Sequence, residues 1–350
     1  MQNLRAKANK ISAMKLKALM LAPKILKNFI EFKAGKPAPL FASFSVTGRC
    51  NLHCAYCDWW KEKMPELSTT EALRVIDNVC SLGVAFFDFS GGEPLLRKDL
   101  ALLAKRASSR NCIVSMNTNG TLLKSADAPK IAEAFDIVVF SLDGPPEIHD
   151  KIRGVAGTCK KAFEAIKFLK AHGVKVGVNS VVSPWNIKAL PQFIEELRSI
   201  VDFVQVQPVH PYPPPPDNKP PLKEVSRLQE YLLKLKSDDP GFLAVSAEFI
   251  WGFRLFFEGK APKICHAGRL YVAVDPFGRL LACAARGDIV FGDVLRRSAA
   301  ELLGGKGESD CWLKVDSCRG CWLECTVGAS MAAAKPLTET LPIMGHVRRI

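Results

Sequence analysis

Three cysteines lie within one short run, Cys50-Asn-Leu-His-Cys54-Ala-Tyr-Cys57. A cluster of four irons takes four ligands, so a protein that supplies three thiolates leaves one iron open to a substrate or cosubstrate. The same spacing suits zinc, with His53 as a fourth ligand. Farther along, Gly91-Gly92-Glu93-Pro94 offers a backbone that can approach a ligand closely and expose its N–H and C=O groups. Taken alone, a Gly-Gly pair is an ordinary turn. Asn117-Thr118-Asn119-Gly120 and Ser141-Leu142-Asp143-Gly144 place polar residues after apolar runs. These read equally as turn chemistry or as ligand contacts.

These groups need a frame that brings them together. From Phe41 to about Leu235 the sequence alternates short β-rich runs with helical periodicity. Strands are expected at Phe41–Thr47, Ala85–Ser90, Ile113–Asn119, Ile137–Asp143, Lys175–Val182 and Phe203–Val209, most of them apolar on both faces, as in a parallel sheet covered by helices. Right-handed crossovers would curl six βα units into a partial (β/α)6 TIM-like barrel of the α/β class, and the loops after the strands would share one rim. The cysteine triad follows the first strand, Gly91 to Pro94 the second, Asn117 and Asn119 the third, and Ser141 and Asp143 the fourth. Pro208 to Pro221, rich in proline, reads as an extended connection.

Composition narrows the class. The 350 residues are 48% hydrophobic and 24% charged, which supports a large buried core. Twelve cysteines in a long chain without a secretory signal point to reduced thiols and metal rather than to disulfides. A cytoplasmic location is expected, possible peripheral membrane contact included. The net charge of +13 is concentrated in residues 1–38, with nine Lys or Arg against Glu31. Residues 1–33 permit a basic amphipathic helix interrupted at Pro23. Membrane contact is one use for such an arm. No RNA-recognition signature is present, so nucleic acid is not an expected partner. The division is a basic arm at 1–38, a core at 39–241 and a cysteine-rich module at 242–350.

The Cys-x3-Cys-x2-Cys spacing, with Tyr56 before the third cysteine and Gly91-Gly92-Glu93-Pro94 after the second strand, resembles the radical S-adenosylmethionine (radical SAM) superfamily. That resemblance implies a 4Fe-4S cluster on Cys50, Cys54 and Cys57 with an iron open to S-adenosylmethionine, and reductive cleavage to a 5'-deoxyadenosyl radical. It implies cosubstrate contacts from Tyr56, from the Gly91, Gly92, Glu93 and Pro94 loop, and from Asn117, Asn119, Ser141, Asp143, Arg153 and Asn179. His149 is expected at the surface without a role. Cys265, Cys283 and the later group Cys311, Cys318, Cys321 and Cys325 resemble a SPASM or twitch extension, which implies an auxiliary 4Fe-4S cluster. The preferred ligands are Cys265, Cys283, Cys318 and Cys321, with Cys325 as the replacement and Cys311 spare; a zinc knuckle is the alternative. Cys80, Cys112 and Cys159 are expected as buried small hydrophobes.

Three functions follow. The first is a radical enzyme acting on a peptide or protein, with an electron donor such as ferredoxin or flavodoxin. The second is the same chemistry on a membrane lipid or isoprenoid. The third is a non-catalytic iron-sulfur or zinc carrier.

Overall fold

In the computed structural model, which describes residues 2–61, 64–209, 218–305, 309–318 and 320–334, the β-rich runs become six parallel strands. They are β1 (Phe41–Thr47), β2 (Phe86–Gly91), β3 (Ile113–Thr118), β4 (Ile137–Ser141), β5 (Lys175–Val182) and β6 (Phe203–Pro208). Each strand pairs with the next in sequence. Three further strands, β7 (Tyr271–Val274), β8 (Arg279–Leu281) and β9 (Val290–Asp293), extend the sheet past β1. The order is β6-β5-β4-β3-β2-β1-β7-β8-β9, and the sheet stays open, a partial barrel. β7 runs parallel to β1, whereas β8 and β9 are antiparallel.

The crossovers are helical: α2 (Thr69–Cys80), α3 (Leu100–Ser109), α4 (Ala128–Ala134), α5 (Pro146–Arg153), α6 (Thr158–Ala171) and α7 (Leu190–Leu197), followed by α8 (Leu222–Asp238) and α9 (Ala247–Phe257). Local chemistry starts them where the pattern demands. Ser68 and Glu71 form a reciprocal capping box at α2, for example. Val75, Ile76 and Val79 of that helix are fully buried with Phe44, Phe87 and Phe89 of the strands.

The strands are two-faced rather than apolar on both sides. Ala42, Phe44, Phe87, Phe89, Val114 and Met116 turn toward the helices and are buried. The alternate positions carry Ser43, Ser45, Asp88, Ser90, Ser115 and Asn117, which period-two alternation places on the opposite, concave face. A polar lumen suits a hydrophilic cosubstrate.

Helix α1 (Gln2–Lys33) runs through Pro23 without interruption, contrary to the expected break. Pro23 is exposed, so the Leu19 carbonyl that lacks a proline N–H partner lies on the exposed side of the helix, where water can satisfy it. The other side of α1 covers the floor of the barrel. Leu21 and Ile25 pack on Ala85, Ile113 and Ile137, at or just before the first residues of β2, β3 and β4. Lys17 reaches Asp136 at 2.6 Å, and the Asn28 amide donates to the carbonyls of Pro39, Leu82 and Gly83.

Residues 242–334 join the same structure. α9 packs on α8, and a Cβ on Gly252 of α9 would overlap the Trp322 ring. The Trp322 indole donates to Phe249 O at 2.8 Å, pinning the late cysteine segment to α9. Helices α10 (Ala299–Gly304), α11 (Ser309–Ser317) and α12 (Ala329–Ala334) complete this part. Of the proline-rich connection expected at 208–221, residues 210–217 lie outside the described residues.

Candidate functional site

The loop leaving β1 carries the triad, and the loop leaving β2 is joined to it backbone to backbone. Gly92 N donates to Thr47 O and Glu93 N to Arg49 O, each at 2.8 Å. No side chain fits between them: a Cβ on Gly91 would overlap Thr47 O, and one on Gly92 would overlap Arg49 O. Gly91 also has φ +123, a conformation other residues rarely adopt. The Gly-Gly pair is therefore what allows the second loop to lie against the residues leading into Cys50.

Glu93 is 1% exposed and bridges the loops. Its Oε1 accepts from Leu95 N and Thr118 Oγ1, and its Oε2 from Asn119 N. Burial pushes this carboxyl upward, opposed by those donors. A carboxylate has about four acceptor sites, so capacity for a further donor remains. Asn119 is committed elsewhere. Its amide donates to Asn51 Oδ1 at 2.9 Å, Asn51 donates to Thr121 Oγ1, and Thr121 returns a bond to Asn119 Oδ1. This ring ties the triad loop to the end of β3.

Asp143, Arg153 and Tyr56 form a second brace. Asp143 is fully buried and accepts from Arg153 at 2.8 Å, the Tyr56 hydroxyl at 2.9 Å and Val181 N at 3.0 Å. The Arg153 fork thus points at Asp143, and its other nitrogen lies 3.7 Å from Cys54 Sγ. His149 is not at the surface: it is 1% exposed, and its Nδ1 accepts from Asp143 N. Burial holds its pKa down to about 4, so the ring is neutral. Ser141 and Asn179 are side by side on β4 and β5, both half-buried.

Spacing alone could not reveal Asp88. Located mid-strand on the lumen face of β2, it accepts from Ser115, from Asn117 through both oxygens, and from Ser43 at 3.4 Å. Asn117 is thereby turned to Asp88. Burial raises the Asp88 pKa to about 6, although its three donors pull the other way. Its charge reaches Tyr271 and Cys325 of the C-terminal part. The available signal was a single acid in the alternating run Phe-Phe-Asp-Phe-Ser.

The donor chemistry of both cysteine sets fits metal. Burial pushes Cys50 to about 11 and raises Cys57, so these thiols hold their protons at neutral pH unless a metal replaces them. Cys54 lies within electrostatic reach of both. In the second set, Cys265, Cys283, Cys318, Cys321 and Cys325 influence one another, with burial pushing Cys283 to about 12 and Cys321 to about 11. Cys325 is exposed to solvent, and the surrounding protein pushes its thiol up. Cys311 turns to Val290 O at 3.1 Å. Among the described residues, no three His, Cys, Asp or Glu side chains stand close enough to share a single ion. Cys159 is buried without a neighbouring thiol, but Cys80 and Cys112 touch at 3.6 Å in the core.

The Radical SAM superfamily pattern matches residues 44–197. The pre-heme d1 synthase of Dinoroseobacter shibae is 34% identical over 165 residues, 46% of this chain and 41% of that protein. The chain spans less than half the length of the first curated relatives it matches. The PqqA peptide cyclase of Granulibacter bethesdensis is 29% identical over 299 residues, 81% of this chain and 79% of that protein. Streptococcus suis SuiB bound to precursor peptide SuiA superposes with a TM-score of 0.65 at 17% identity, over 86% of this chain and 72% of that one, a likeness of fold.

Proposed function

Residues 44–197 are a radical SAM domain, and from that premise we propose that this chain reductively cleaves S-adenosylmethionine and takes a hydrogen atom from a peptide or protein. The observation that carries the reading is the contact between the Gly91-Gly92-Glu93 loop and the triad loop, closed enough to forbid a Cβ. It joins an amino-acid-binding backbone to a three-thiolate site, which a simple carrier does not need. A four-iron cluster on Cys50, Cys54 and Cys57 would supply the electron for cleavage. The chain's own residues do the placing. Glu93 keeps an acceptor for the methionine ammonium, Ser141 and Asn179 line the lumen for the adenosyl end, and the polar wall of Ser43, Asp88, Ser115 and Asn117 faces whatever enters. The second thiol set, five cysteines for four positions, would hold an auxiliary four-iron cluster.

A peptide is favoured over a lipid by two observations. The alignment to a peptide cyclase covers 81% of this chain and 79% of that protein, more of both than the alignments to the heme-related synthases. The basic arm, which motivates a lipid, lies at the opposite end of the strands from the triad, packed on their first residues. Anonymous peptide screening is unnecessary for the first test. Anaerobically reconstituted, reduced protein should contain about eight irons, two clusters of four, and release 5'-deoxyadenosine; stoichiometric zinc with neither iron nor deoxyadenosine would defeat the proposal.

The arm carries its own expectation. Leu19, Met20, Leu26 and Ile30 are 71%, 61%, 43% and 59% exposed, beside exposed Lys27 and Lys33. This face suits the surface of an anionic bilayer, with the barrel mouth directed away from it. Sedimentation with phosphatidylglycerol vesicles should weaken as salt rises, and the L19S/L26S/I30S variant should remain in solution. Equal sedimentation of both proteins would remove the arm from membrane contact. Among the described residues no helix is long and apolar enough to cross a membrane.

A further inference from the structure

Arg153 occupies the last turn of α5 and is only 6% exposed. An arginine buried for stability alone would normally present its fork to a carboxylate with two parallel bonds. Here the fork is divided. Nη2 lies 2.8 Å from Asp143 Oδ2, Nη1 turns to Cys54 Sγ at 3.7 Å, and the buried Nε has no partner. Leaving a buried donor unpaired is unfavourable, so this orientation sacrifices hydrogen bonding within the protein while bringing positive charge to the sulfur.

The surroundings fix that orientation from several sides. Asp143 is held by the Tyr56 hydroxyl and Val181 N as well as by Arg153. The guanidinium also lies 5.5 Å from the Tyr56 ring centre. The backbone repeats the arrangement: His53 N donates to Arg153 O at 3.1 Å, and Ala55 N to Ile152 O at 2.8 Å. Those two residues flank Cys54. Gly154, at φ +73, ends the helix where a Cβ would press on His53 O at 2.7 Å. The end of α5 therefore grips the triad loop on both sides of Cys54 and directs one guanidinium nitrogen at the sulfur between them.

We propose that Arg153 is a positioning residue that donates a hydrogen bond to the Cys54 sulfur and thereby sets the reduction potential of the cluster held by the triad. This rests on the radical SAM reading above. Positive charge and hydrogen bonds at cluster sulfurs favour the reduced form, which carries one more negative charge. Asp143 acts in the opposite sense, because its carboxylate offsets the guanidinium charge. Removing the two partners should accordingly move the potential in opposite directions.

The test is an EPR-monitored redox titration of the full-length, anaerobically reconstituted protein, the triad signal being the one missing from Cys54→Ala. Arg153→Gln should lower the potential by at least a tenfold change in the one-electron equilibrium, which corresponds to about 59 mV. Arg153→Lys, which keeps the charge and loses the fork, should fall between that variant and the unaltered protein. Asp143→Asn should raise the potential. An unchanged potential in Arg153→Gln with triad iron retained would overturn the proposal. So would Arg153→Gln and Asp143→Asn shifting in the same direction, which is the signature of a loosened loop. If Arg153→Gln loses its iron, the opposed shifts of Arg153→Lys and Asp143→Asn decide the matter by the same rule. Absence of triad iron from the unaltered protein would instead defeat the radical SAM reading, and this inference with it.

Discussion

Cys54→Ala is expected to abolish 5'-deoxyadenosine formation, while the double variant Cys318→Ala/Cys321→Ala continues to produce it without modifying substrate. The two cysteine sets differ in what they leave open. Three thiolates on one loop leave one iron of a cubane free for the methionine amino and carboxylate groups, so losing one of three removes a ligand at the point of chelation. In the C-terminal set Cys265, Cys283, Cys318 and Cys321 lie within electrostatic reach of one another, and Cys325 adjoins Cys321 and Cys283. A single replacement there can be covered by Cys325, which is why the double variant is the informative one. It should retain about four irons, all on the triad. Its fold must be checked by circular dichroism, because Trp322, next to Cys321, anchors this segment to α9. A folded double variant with triad iron but no deoxyadenosine would show that the C-terminal set takes part in cosubstrate cleavage. Full substrate turnover would show it to be dispensable.

What sequence reveals here follows the distance over which each feature is encoded. The six strands and the three-cysteine loop are local: apolar runs of strand length, turn residues and close cysteine spacing lie within a few positions. Each expected strand matches its observed counterpart to within two residues. The features that escaped depend on register between strands. Asp88 gains its meaning only because Ser43 and Ser115 are its direct neighbours on β1 and β3. The Asn51, Asn119 and Thr121 ring joins two loops about 70 residues apart in the chain. His149 reads locally as an ordinary surface histidine, whereas α5 buries it with its Nδ1 accepting from Asp143 N. Pro23 illustrates the reverse error. Local helix-breaking chemistry predicts an interruption there, but tertiary packing on Leu21, Ile25 and Phe29 holds the helix and the missing bond faces outward.

The same distinction explains why charge was a poor guide to the active end. The arm holds much of the excess charge of the protein, yet it covers the floor of the barrel. At the mouth, Arg153 is neutralised by Asp143, and the lumen wall carries Asp88 among neutral donors. A basic arm therefore says little about substrate. Lumen chemistry says more, and it is compatible with a group that donates hydrogen bonds, as a peptide backbone does.

Gly92→Ala should be severely damaging for a change of a single methyl group. Its backbone conformation is accessible to alanine, since only Gly91 of the pair has positive φ. The obstacle is space. The added Cβ would overlap Arg49 O, which already accepts from Glu93 N at 2.8 Å. A flexible side chain could move aside, but a backbone carbonyl one residue before Cys50 cannot move without carrying the triad loop with it. Glu93 is further restrained by Leu95, Thr118 and Asn119, so the second loop has little freedom to retreat. The two loops must separate, and a displacement of about 1 Å in a site that positions reactants costs on the order of a hundredfold in rate. Deoxyadenosine formation should fall by about that factor, with weakened S-adenosylmethionine binding in equilibrium dialysis and the C-terminal iron unaffected. A Gly92→Ala protein with unaltered binding and rate would mean that the cosubstrate does not use this loop, and the contact on which the functional proposal stands would have to be explained as packing alone.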